Sequence, residues 1–318
     1  MTTLVTGAGL VGAYFAREAI QREERIIFLD PIPREDFLDM HLGSAPYELI
    51  KDDVRQLPVL VDLMTSRNVE TVVHTASRIG HRAANPVHEG FSMNINGTQA
   101  VAEAVRLSGA RRLIHISTFG AYDWRRTMPG PVREDFPRGS GVPYGNFKAA
   151  QELILEAYQN VYGFELIALR LCNVYGVGHF WAGSGGGEKV QEILMAGLSG
   201  KRAHVPEEQT MAFEYLYAKD VGRAVERAAT CALPKDIFFN IGSEVTTSFD
   251  DLVATAKSLL PNLSVEIVPG VAPVSRDQHL DTKRAQEQLG WQPAFNLKEG
   301  FADYIEDLRR LVLHHNAP

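Results

Sequence analysis

The stretch Thr3-Leu-Val-Thr-Gly-Ala-Gly-Leu-Val-Gly12 decides the fold of this chain. Its first four residues predict a short buried strand, and residues 13–21 after it predict a helix. A Gly-x-Gly-x-x-Gly turn between a strand and a helix is typical of sites that bind the pyrophosphate of a dinucleotide. The same stretch therefore predicts a β-α unit and a nucleotide cofactor.

Each glycine of this turn has its own task. Gly7 permits the tight turn, Gly9 lets the backbone approach the phosphates, and Gly12 lets the helix pack on the sheet. The helix N-terminus, with Leu10 and Val11, then faces the anion, which its free backbone N–H groups favour. We expect these five residues to bind the cofactor.

An acid ends the second predicted strand, Arg25-Ile-Ile-Phe-Leu-Asp30, 18 residues beyond Gly12. A carboxylate at this place accepts hydrogen bonds from the adenosine ribose hydroxyls and repels a 2′-phosphate. Asp30 therefore favours NAD over NADP. An ordinary glycine turn with Asp30 as a helix cap is the alternative.

Strands and helices alternate regularly after this unit. Such alternation predicts an α/β fold, a Rossmann-type doubly wound parallel sheet with its chemistry beyond the carboxyl ends of the strands. The further predicted strands of the first half are residues 47–51, 69–75 and 111–117, and its further helices are residues 54–66 and 86–108. The second half predicts strands at residues 211–217 and 237–240, and helices at residues 188–197, 220–231, 249–260, 282–289 and 297–313.

Residues that follow two of these strands lie at the edge where a cofactor would bind. Asp53 and Val54 follow the third strand, within reach of the adenine. Ala76 and Ser77 follow the fourth strand and are further candidate cofactor contacts. Arg78 comes next, and it either meets an anionic group of the substrate or is solvated at the surface.

Apolar residues recur at helical spacing over residues 143–162, which places Tyr144 and Lys148 one turn apart on one face. A phenol, with an unperturbed pKa of about 10, is a poor base near neutrality. A neighbouring ammonium favours the phenolate and lowers that pKa, so that Tyr144 can donate or accept a proton. A solvated surface pair is the alternative.

The composition of the 318 residues limits the classes of partner. A formal net charge of -7 gives no basic surface for nucleic acid, and no apolar run approaches the length of a membrane span. The N-terminus enters a strand at once, so we expect no signal peptide. Two cysteines, Cys172 and Cys231, make no disulfide framework and no metal-ligand spacing, which predicts a reducing, cytoplasmic setting and no metal site.

In the order of its motifs the chain resembles the extended short-chain dehydrogenase/reductases, the NAD-dependent epimerase/dehydratase family. The resemblance covers nearly the whole chain. Beside the glycine turn, the segments that carry it are Asn94-Ile-Asn-Gly-Thr98, Ser117-Thr118-Phe119-Gly120-Ala121-Tyr122, Tyr144-Gly-Asn-Phe-Lys148, Arg170-Leu-Cys-Asn173-Val-Tyr-Gly176, Tyr215-Leu-Tyr-Ala-Lys-Asp-Val221, Phe239-Asn-Ile-Gly-Ser243 and Leu289-Gly-Trp-Gln-Pro293.

The resemblance implies roles for four residues. Tyr144 is the catalytic acid/base, Lys148 binds the nicotinamide ribose of NAD and tunes Tyr144, and Thr118 bonds the reacting oxygen. Asn94, on the fourth helix, is a further candidate for cofactor binding. Hydride then leaves or joins a secondary carbinol carbon, while Tyr144 handles the hydroxyl proton.

Two departures from the family's pattern bear on the substrate. The family's dehydratases carry Asp-Glu directly after the catalytic Thr, whereas this chain has Phe119-Gly120, which cannot move a proton. The family's nucleotide-sugar enzymes hold the diphosphate with two arginines, and an ungapped comparison puts Phe213 and Val271 at those places. A dehydratase is therefore not expected, and a nucleotide sugar is disfavoured unless Arg202 or Arg276 substitutes.

A glycine-rich segment, residues 177–187, follows the Asn-Val-Tyr-Gly motif at the expected mouth of the site. It predicts a mobile lid, a backbone nest for an anion or a plain surface loop. The candidate substrate-binding residues are Asn173, which the family uses for this contact, His179, Phe180 and Trp181, together with Thr118, Phe119 and Arg78.

We expect residues 1–170 to form an NAD-binding domain to which residues 211–242 return. Residues 171–210 and 243–318 then form a smaller α/β substrate-binding lobe. Two of the predicted helices make a four-helix dimer interface in many members of the family, which implies a homodimer.

The expected function is that of an NAD-dependent oxidoreductase acting at a secondary alcohol or ketone carbon of a small carbohydrate-like molecule. The departures favour a dehydrogenase of a free sugar or sugar acid. A nucleotide-sugar epimerase, which keeps the hydride and returns it to the other face of a rotated ketone, uses the same residues and is one alternative. A non-catalytic NAD(H) sensor or scaffold is another.

Overall fold

A computed structural model describes residues 1–126, 129–179, 184–273 and 278–315 of the chain. Its strands in chain order are β1 (Thr2–Thr6), β2 (Arg25–Leu29), β3 (Glu48–Ile50), β4 (Thr71–His74), β5 (Arg112–Thr118), β6 (Glu165–Leu171), β7 (Asn173–Tyr175), β8 (Arg202–Pro206), β9 (Phe213–Tyr217), β10 (Phe238–Ile241), β11 (Thr246–Thr247) and β12 (Ser264–Val268). Its α-helices are α1 (Leu10–Ile20), α2 (Glu35–Leu42), α3 (Leu57–Ser66), α4 (His81–Ala84), α5 (Val87–Phe91), α6 (Gly97–Ser108), α7 (Pro143–Tyr162), α8 (Gly185–Ser199), α9 (Ala218–Thr230), α10 (Phe249–Leu259), α11 (Lys283–Leu289) and α12 (Leu297–His315).

Seven strands form one sheet in the order β10-β6-β5-β4-β1-β2-β3, and each neighbouring pair is parallel. This arrangement confirms the predicted Rossmann-type doubly wound parallel sheet. The strand order reverses at β1, which lies between β4 and β2. In such sheets the ligand binds in the crevice beyond the carboxyl ends at the point of reversal. The glycine turn, the loop after β4 and Thr118 at the end of β5 all lie at this edge.

Helices cover both faces of the main sheet. Val5, Phe28 and Ile114 belong to one buried apolar cluster, whereas their chain neighbours Leu4 and Leu113 belong to another. On the first side α1 packs against α9, and on the second α3 packs against α6. Burial on both faces explains why the strands of this sheet are almost continuously apolar.

Two smaller sheets lie outside the main one, with the orders β11-β9-β7 and β12-β8. β10 belongs to the main sheet, while β9 pairs in parallel with β7 and in antiparallel fashion with β11. The division of the chain into an NAD-binding domain and a smaller lobe stays a prediction.

The long helix predicted for residues 86–108 is interrupted. A π-helical turn, Ser92–Asn96, separates α5 from α6. Such turns admit one extra residue and occur often at functional sites. Here the turn contains Asn94, whose side chain is completely buried.

Two kinds of feature are absent from the residues that the structure describes. No helix among them combines the length and the apolarity needed to cross a membrane. No cluster of three or more His, Cys, Asp or Glu side chains among them could hold a metal ion.

Candidate active site

The three glycines of the β1–α1 turn differ in the room around them. Gly7 has a φ of +101°, and a Cβ there would lie 2.5 Å from Thr75 Oγ1. A Cβ on Gly12 would lie 2.5 Å from the carbonyl oxygen of Gly7, so only glycine lets α1 pack this closely. The position of a Cβ on Gly9 has no atom within 4 Å. The open space in front of Gly9 fits the pyrophosphate of NAD.

Asp30 lies beside this turn at the end of β2. Its Oδ2 accepts a hydrogen bond from Ala8 N at 2.9 Å, and its Oδ1 accepts one from Ile32 N at 2.9 Å. These bonds fix the carboxylate where the ribose hydroxyls of NAD are expected. Leu10 and Val11 form the half-buried first turn of α1 behind the glycines.

The side chains of Asp53 and Val54 both contact other residues of the protein. Asp53 Oδ2 lies 2.6 Å from Arg55 Nη2, and this hydrogen bond lowers the pKa of the carboxyl. Val54 is buried among the residues between the sheet, α3 and α6. A contact of either residue with the adenine stays a prediction.

Asn94 holds the loop that follows β4. Its Oδ1 accepts hydrogen bonds from Ser77 Oγ at 3.1 Å and Arg78 N at 2.7 Å, and its Nδ2 donates to Arg78 O at 2.9 Å. Ala76 N lies 3.1 Å from the position of a Cβ on Gly7. The loop is thus fixed against the glycine turn, and Asn94 shapes the cofactor crevice through it.

Thr118 and Tyr144 are hydrogen-bonded to each other, and Thr118 Oγ1 also accepts a bond from Gly120 N at 3.1 Å. Burial raises the pKa of the Tyr144 phenol to about 12, and the bond with Thr118 acts in the opposite direction. The sequence predicted that Lys148 would lower the pKa of Tyr144. This prediction is wrong, because burial raises the pKa by more than the neighbouring groups of the protein lower it.

Lys148 lies inside the protein, with 3% of its surface exposed, and its Nζ donates to Ile116 O at 2.7 Å. Burial lowers the pKa of this ammonium to about 7, and the charge of Glu152 opposes that shift. The alternative of a solvated Tyr–Lys surface pair is therefore wrong.

A narrow cleft lies next to the end of β5. The described residues that line it are Phe119, Trp124, Cys172, Asn173, Ala212, Phe213, Glu214, Gln278 and Leu280. Two of the predicted substrate residues, Phe119 and Asn173, are among them, and Asn173 Nδ2 donates to Glu214 O at 3.3 Å. Arg78 lies elsewhere, with its guanidinium Nη2 3.4 Å from Glu89 Oε2.

The glycines at residues 185–187 form the first turn of α8 rather than a lid, and the anion nest stays a prediction. A Cβ on Gly186 would lie 2.7 Å from Asn173 Oδ1, and one on Gly187 would overlap the ring of His179. The glycines therefore let the first turn of α8 pack against β7 and the residues after it.

His179 packs against Gly187 rather than among the described lining residues of the cleft. Burial lowers the pKa of its ring to about 4, so the ring is neutral at pH 7. Its contact with substrate stays a prediction. Phe180 and Trp181, predicted to line the same pocket, lie outside the described residues.

Glu214 lines the cleft, and the sequence analysis did not single it out. Its Oε1 accepts from Glu244 N at 2.8 Å and its Oε2 from Leu280 N at 2.9 Å. Burial raises the pKa of this carboxyl to about 7 against the effect of those backbone donors. Its one signal in the sequence is its place directly before the Tyr215-Leu motif.

Lys189 on α8 is a second residue that the sequence analysis did not single out. It is 2% exposed, and its Nζ donates to Gln209 O at 2.6 Å. The same Nζ lies 4.9 Å from the ring centre of Phe213 and 5.6 Å from those of Tyr215 and Phe249. Burial lowers its pKa to about 8, with no carboxylate among the described residues acting against that shift.

A phenol, a hydroxyl and an ammonium thus lie at the edge of the sheet that carries the dinucleotide turn. A sequence model of the NAD dependent epimerase/dehydratase family matches residues 3–242. The chain belongs to this family. The predicted resemblance is confirmed.

The epimerase/dehydratase family also supplies relatives that match the chain from end to end. The UDP-glucose 4-epimerase of Mycolicibacterium smegmatis is 31% identical over 316 residues, which cover 97% of this chain and 99% of the relative. A UDP-glucose 4-epimerase of Thermotoga maritima, solved with UDP-glucose, has a TM-score of 0.87 at 25% identity and covers 98% of this chain and 100% of its own. MoeE5, solved with UDP-glucose and NAD, has a TM-score of 0.83 at 26% identity, and the match covers 98% of this chain and 100% of MoeE5.

The chain is therefore an NAD-dependent enzyme of the extended short-chain dehydrogenase/reductase type. The prediction of NAD as cofactor is confirmed, and the alternative of a non-catalytic sensor or scaffold is disfavoured. The roles of the individual site residues stay predictions.

Proposed function

We propose that this protein is an NAD-dependent epimerase that acts on a nucleotide sugar of the UDP-sugar type. The observation that carries the proposal is the similarity to a UDP-glucose 4-epimerase over 97% of this chain and 99% of the relative. It includes the residues around the cleft as well as the cofactor turn. It supports the nucleotide-sugar alternative over the free-sugar dehydrogenase that the sequence analysis favoured.

The residues at the end of β5 and the start of α7 fit the proton chemistry of such a reaction. NAD, when bound, accepts a hydride from a sugar carbon and returns it to the other face. Thr118 Oγ1, held by Gly120 N, bonds the sugar oxygen, and Tyr144 takes and returns its proton. With a pKa of about 12, the phenol is protonated at neutral pH and ready to donate to a ketone. The reverse step depends on the positive charge of Lys148, which favours the phenolate.

The cleft supports epimerisation rather than loss of water. Elimination needs an acid and a base beyond Tyr144, and the family's dehydratases supply them directly after the catalytic Thr. Phe119 occupies that place here and lines the cleft with an apolar ring. Gly120 follows it without any side chain.

A dehydrogenase of a free sugar or sugar acid is the second candidate, and the missing arginines favour it. Phe213 lines the cleft, and Val271 is 76% exposed, so neither brings a charge to a diphosphate. Arg202 is mostly exposed on β8 and lies 3.0 Å from Glu266 Oε2. Arg276 lies outside the described residues.

Lys189 supplies a buried positive charge next to Phe213, the residue that stands at the place of one missing arginine. Its ammonium lies against the Phe213 ring, and no carboxylate of the described part of the chain acts on its pKa. An anion at this end of the cleft would gain a buried cation, whose attraction is stronger inside the protein than in water. We propose that Lys189 takes over the contact with the substrate diphosphate.

The test is to incubate the purified protein with NAD and UDP-glucose, UDP-galactose or UDP-glucuronic acid, and in parallel with free sugars and sugar acids. The proposal expects a new epimer of one UDP-sugar by nuclear magnetic resonance, with no net rise in absorbance at 340 nm. A steady rise at 340 nm with a free sugar or sugar acid, and no epimer from any UDP-sugar, would establish the dehydrogenase instead.

We further propose a homodimer. Leu107 on α6 and Leu153, Val161 and Tyr162 on α7 are large apolar residues that are about half or more exposed. Such a set on two adjacent helices fits a partner surface. Light scattering that gives the mass of one chain would contradict the dimer. The cytoplasmic setting stays a prediction.

A further inference from the structure

Glu152 is a completely buried carboxylate one helical turn after Lys148 on α7. Arg170 on β6 binds it with two hydrogen bonds, from Nε to Oε1 at 2.9 Å and from Nη2 to Oε2 at 2.7 Å. Ser117 Oγ donates to Oε1 at 2.6 Å, and Arg138 Nη1 donates to Oε2 at 3.2 Å. Each oxygen accepts two bonds, which fixes the carboxylate in place.

The same network reaches the strand end that carries Thr118. Ser117 directly precedes Thr118 on β5. Arg170 Nη1 donates to the Tyr122 hydroxyl at 3.0 Å. The segment between Thr118 and Tyr122 is therefore tied at both ends to the side chains around Glu152.

Glu152 also faces the charge of Lys148. Burial lowers the pKa of Lys148 to about 7, and Glu152 is the group that opposes this shift. His74 on β4 and His115 on β5 lie near the same ammonium. Burial lowers the pKa of His74 to about 3 and that of His115 well below its usual value, with a smaller contribution from Lys148 in both cases. Both rings are neutral near pH 7, as is Tyr144, so none of them balances the ammonium.

We propose that Glu152 is a positioning residue that keeps the Lys148 side chain charged and holds the end of β5 in place. Its oxygens are filled by Arg170, Ser117 and Arg138, so it acts through its neighbours and touches no reacting atom. Without this carboxylate, Arg170 would be a buried cation with no counter-charge close to Lys148, which disfavours a second positive charge there. The inference rests on the roles proposed above for Lys148 and Thr118.

The test measures the affinity for NADH, by its fluorescence, from about pH 5 to about pH 9. Glu152→Gln is compared with Glu156→Gln, one turn further along α7, where Glu156 is a partly exposed partner of Arg138 at 2.8 Å. We expect the midpoint of the pH dependence to fall by about one pH unit or more in Glu152→Gln. In Glu156→Gln it should equal that of the unchanged protein. An unchanged midpoint in a folded Glu152→Gln protein overturns the proposal.

A second variant covers the case in which Glu152→Gln does not fold. Glu152→Gln combined with Arg170→Met removes both charges of the buried pair and leaves no isolated guanidinium. The proposal expects the midpoint to be lowered again, though by less than in Glu152→Gln because the isolated guanidinium is gone, whereas a midpoint like that of the unchanged protein would mean that the pair is only structural and would overturn it. Because NADH is the one ligand used, the result does not depend on which sugar is the substrate, and failure of the proposed function leaves this readout intact.

Discussion

At the scale of single residues, burial sets the protonation of the candidate catalytic pair. The spacing of Tyr144 and Lys148 predicted that the ammonium would lower the pKa of the phenol. The folded chain instead raises the pKa of Tyr144 to about 12 and lowers that of Lys148 to about 7. Both shifts favour the neutral forms, because burial disfavours the charged form of each group. The pair therefore depends on further charges around it, and Glu152 is one of them.

Tyr144→Phe removes the hydroxyl that handles the proton and leaves the ring in place. We expect turnover of the substrate to fall by about 100-fold or more, because general acid–base catalysis contributes at least that much. The affinity for NAD, measured by calorimetry, should change little. Tyr162→Phe at the exposed end of α7 is the control. Turnover that survives in Tyr144→Phe would assign the proton transfer to another group.

Lys189→Met tests the cation beside Phe213. We expect the affinity for UDP, measured by calorimetry, to fall by about tenfold or more, because a buried charge-assisted contact to phosphate is lost. Lys201→Met, at an exposed lysine just after α8, is the matched control. Equal affinity of the two variants for UDP would mean that the diphosphate is held by other residues.

At the scale of elements, the sequence predicts those helices and strands whose residues carry a local apolar pattern. The helix predicted for residues 143–162 is α7 as observed, and apolar runs predicted β1, β2, β4 and β5. β6 was missed because Arg170 interrupts its apolar run. That arginine is buried only because Glu152, 18 residues away, binds it. The π-helical turn before α6 leaves no local signal either.

The residues of the candidate site divide in the same way, into those that the sequence predicts and those that depend on distant contacts. Motif spacing predicts Asp30 and Tyr144, since each stands at a fixed distance from a strand end or a helix start, and the resemblance to the family adds Thr118. Lys189 and Glu214 acquire their properties from partners far along the chain, such as the backbone of Gln209 and Leu280. The sequence around them does not indicate these properties, and for Glu214 it offers only a place directly before the Tyr215-Leu motif.

Gly145→Ala tests how α7 is seated on the end of β5. A Cβ at this position would overlap the Ser140 side chain and the carbonyl oxygen of Gly120, and the latter cannot move freely. We expect the free energy of unfolding to fall by about 1–3 kcal/mol, measured by urea denaturation, with loss of activity as Tyr144 shifts from Thr118. Gly185→Ala, in the first turn of α8 with no atom within 4 Å of the new Cβ, should cost nothing. Equal stability of the two variants would contradict the tight seating.

At the scale of the whole molecule, Glu214 joins distant parts of the chain. Its carboxylate connects β9 with Glu244, two residues before β11, and with Leu280, before α11. Burial raises its pKa from 4.5 to about 7. A raised carboxyl pKa stabilises the fold below the unfolded value, and this contribution is lost as the pH rises through the folded value.

Glu214→Gln therefore changes the pH dependence of stability. As the pH rises from 4.5 to about 7, the free energy of unfolding of the unchanged protein should fall by up to about 3 kcal/mol more than that of the variant. Urea denaturation at several pH values measures this difference. Glu266→Gln on the exposed strand β12 is the control, and the same pH dependence in both variants would refute the role of Glu214.

The unequal room around the glycines of the β1–α1 turn has an evolutionary consequence. Gly7 and Gly12 meet atoms of the protein itself, so folding alone opposes their replacement. Gly9 meets open space, and only the bound dinucleotide opposes a side chain there. In descendants that abandon NAD while keeping this fold, Gly9 should drift first, and Gly7 and Gly12 should persist. The three positions would thus record, in related genomes, whether a lineage still uses its cofactor.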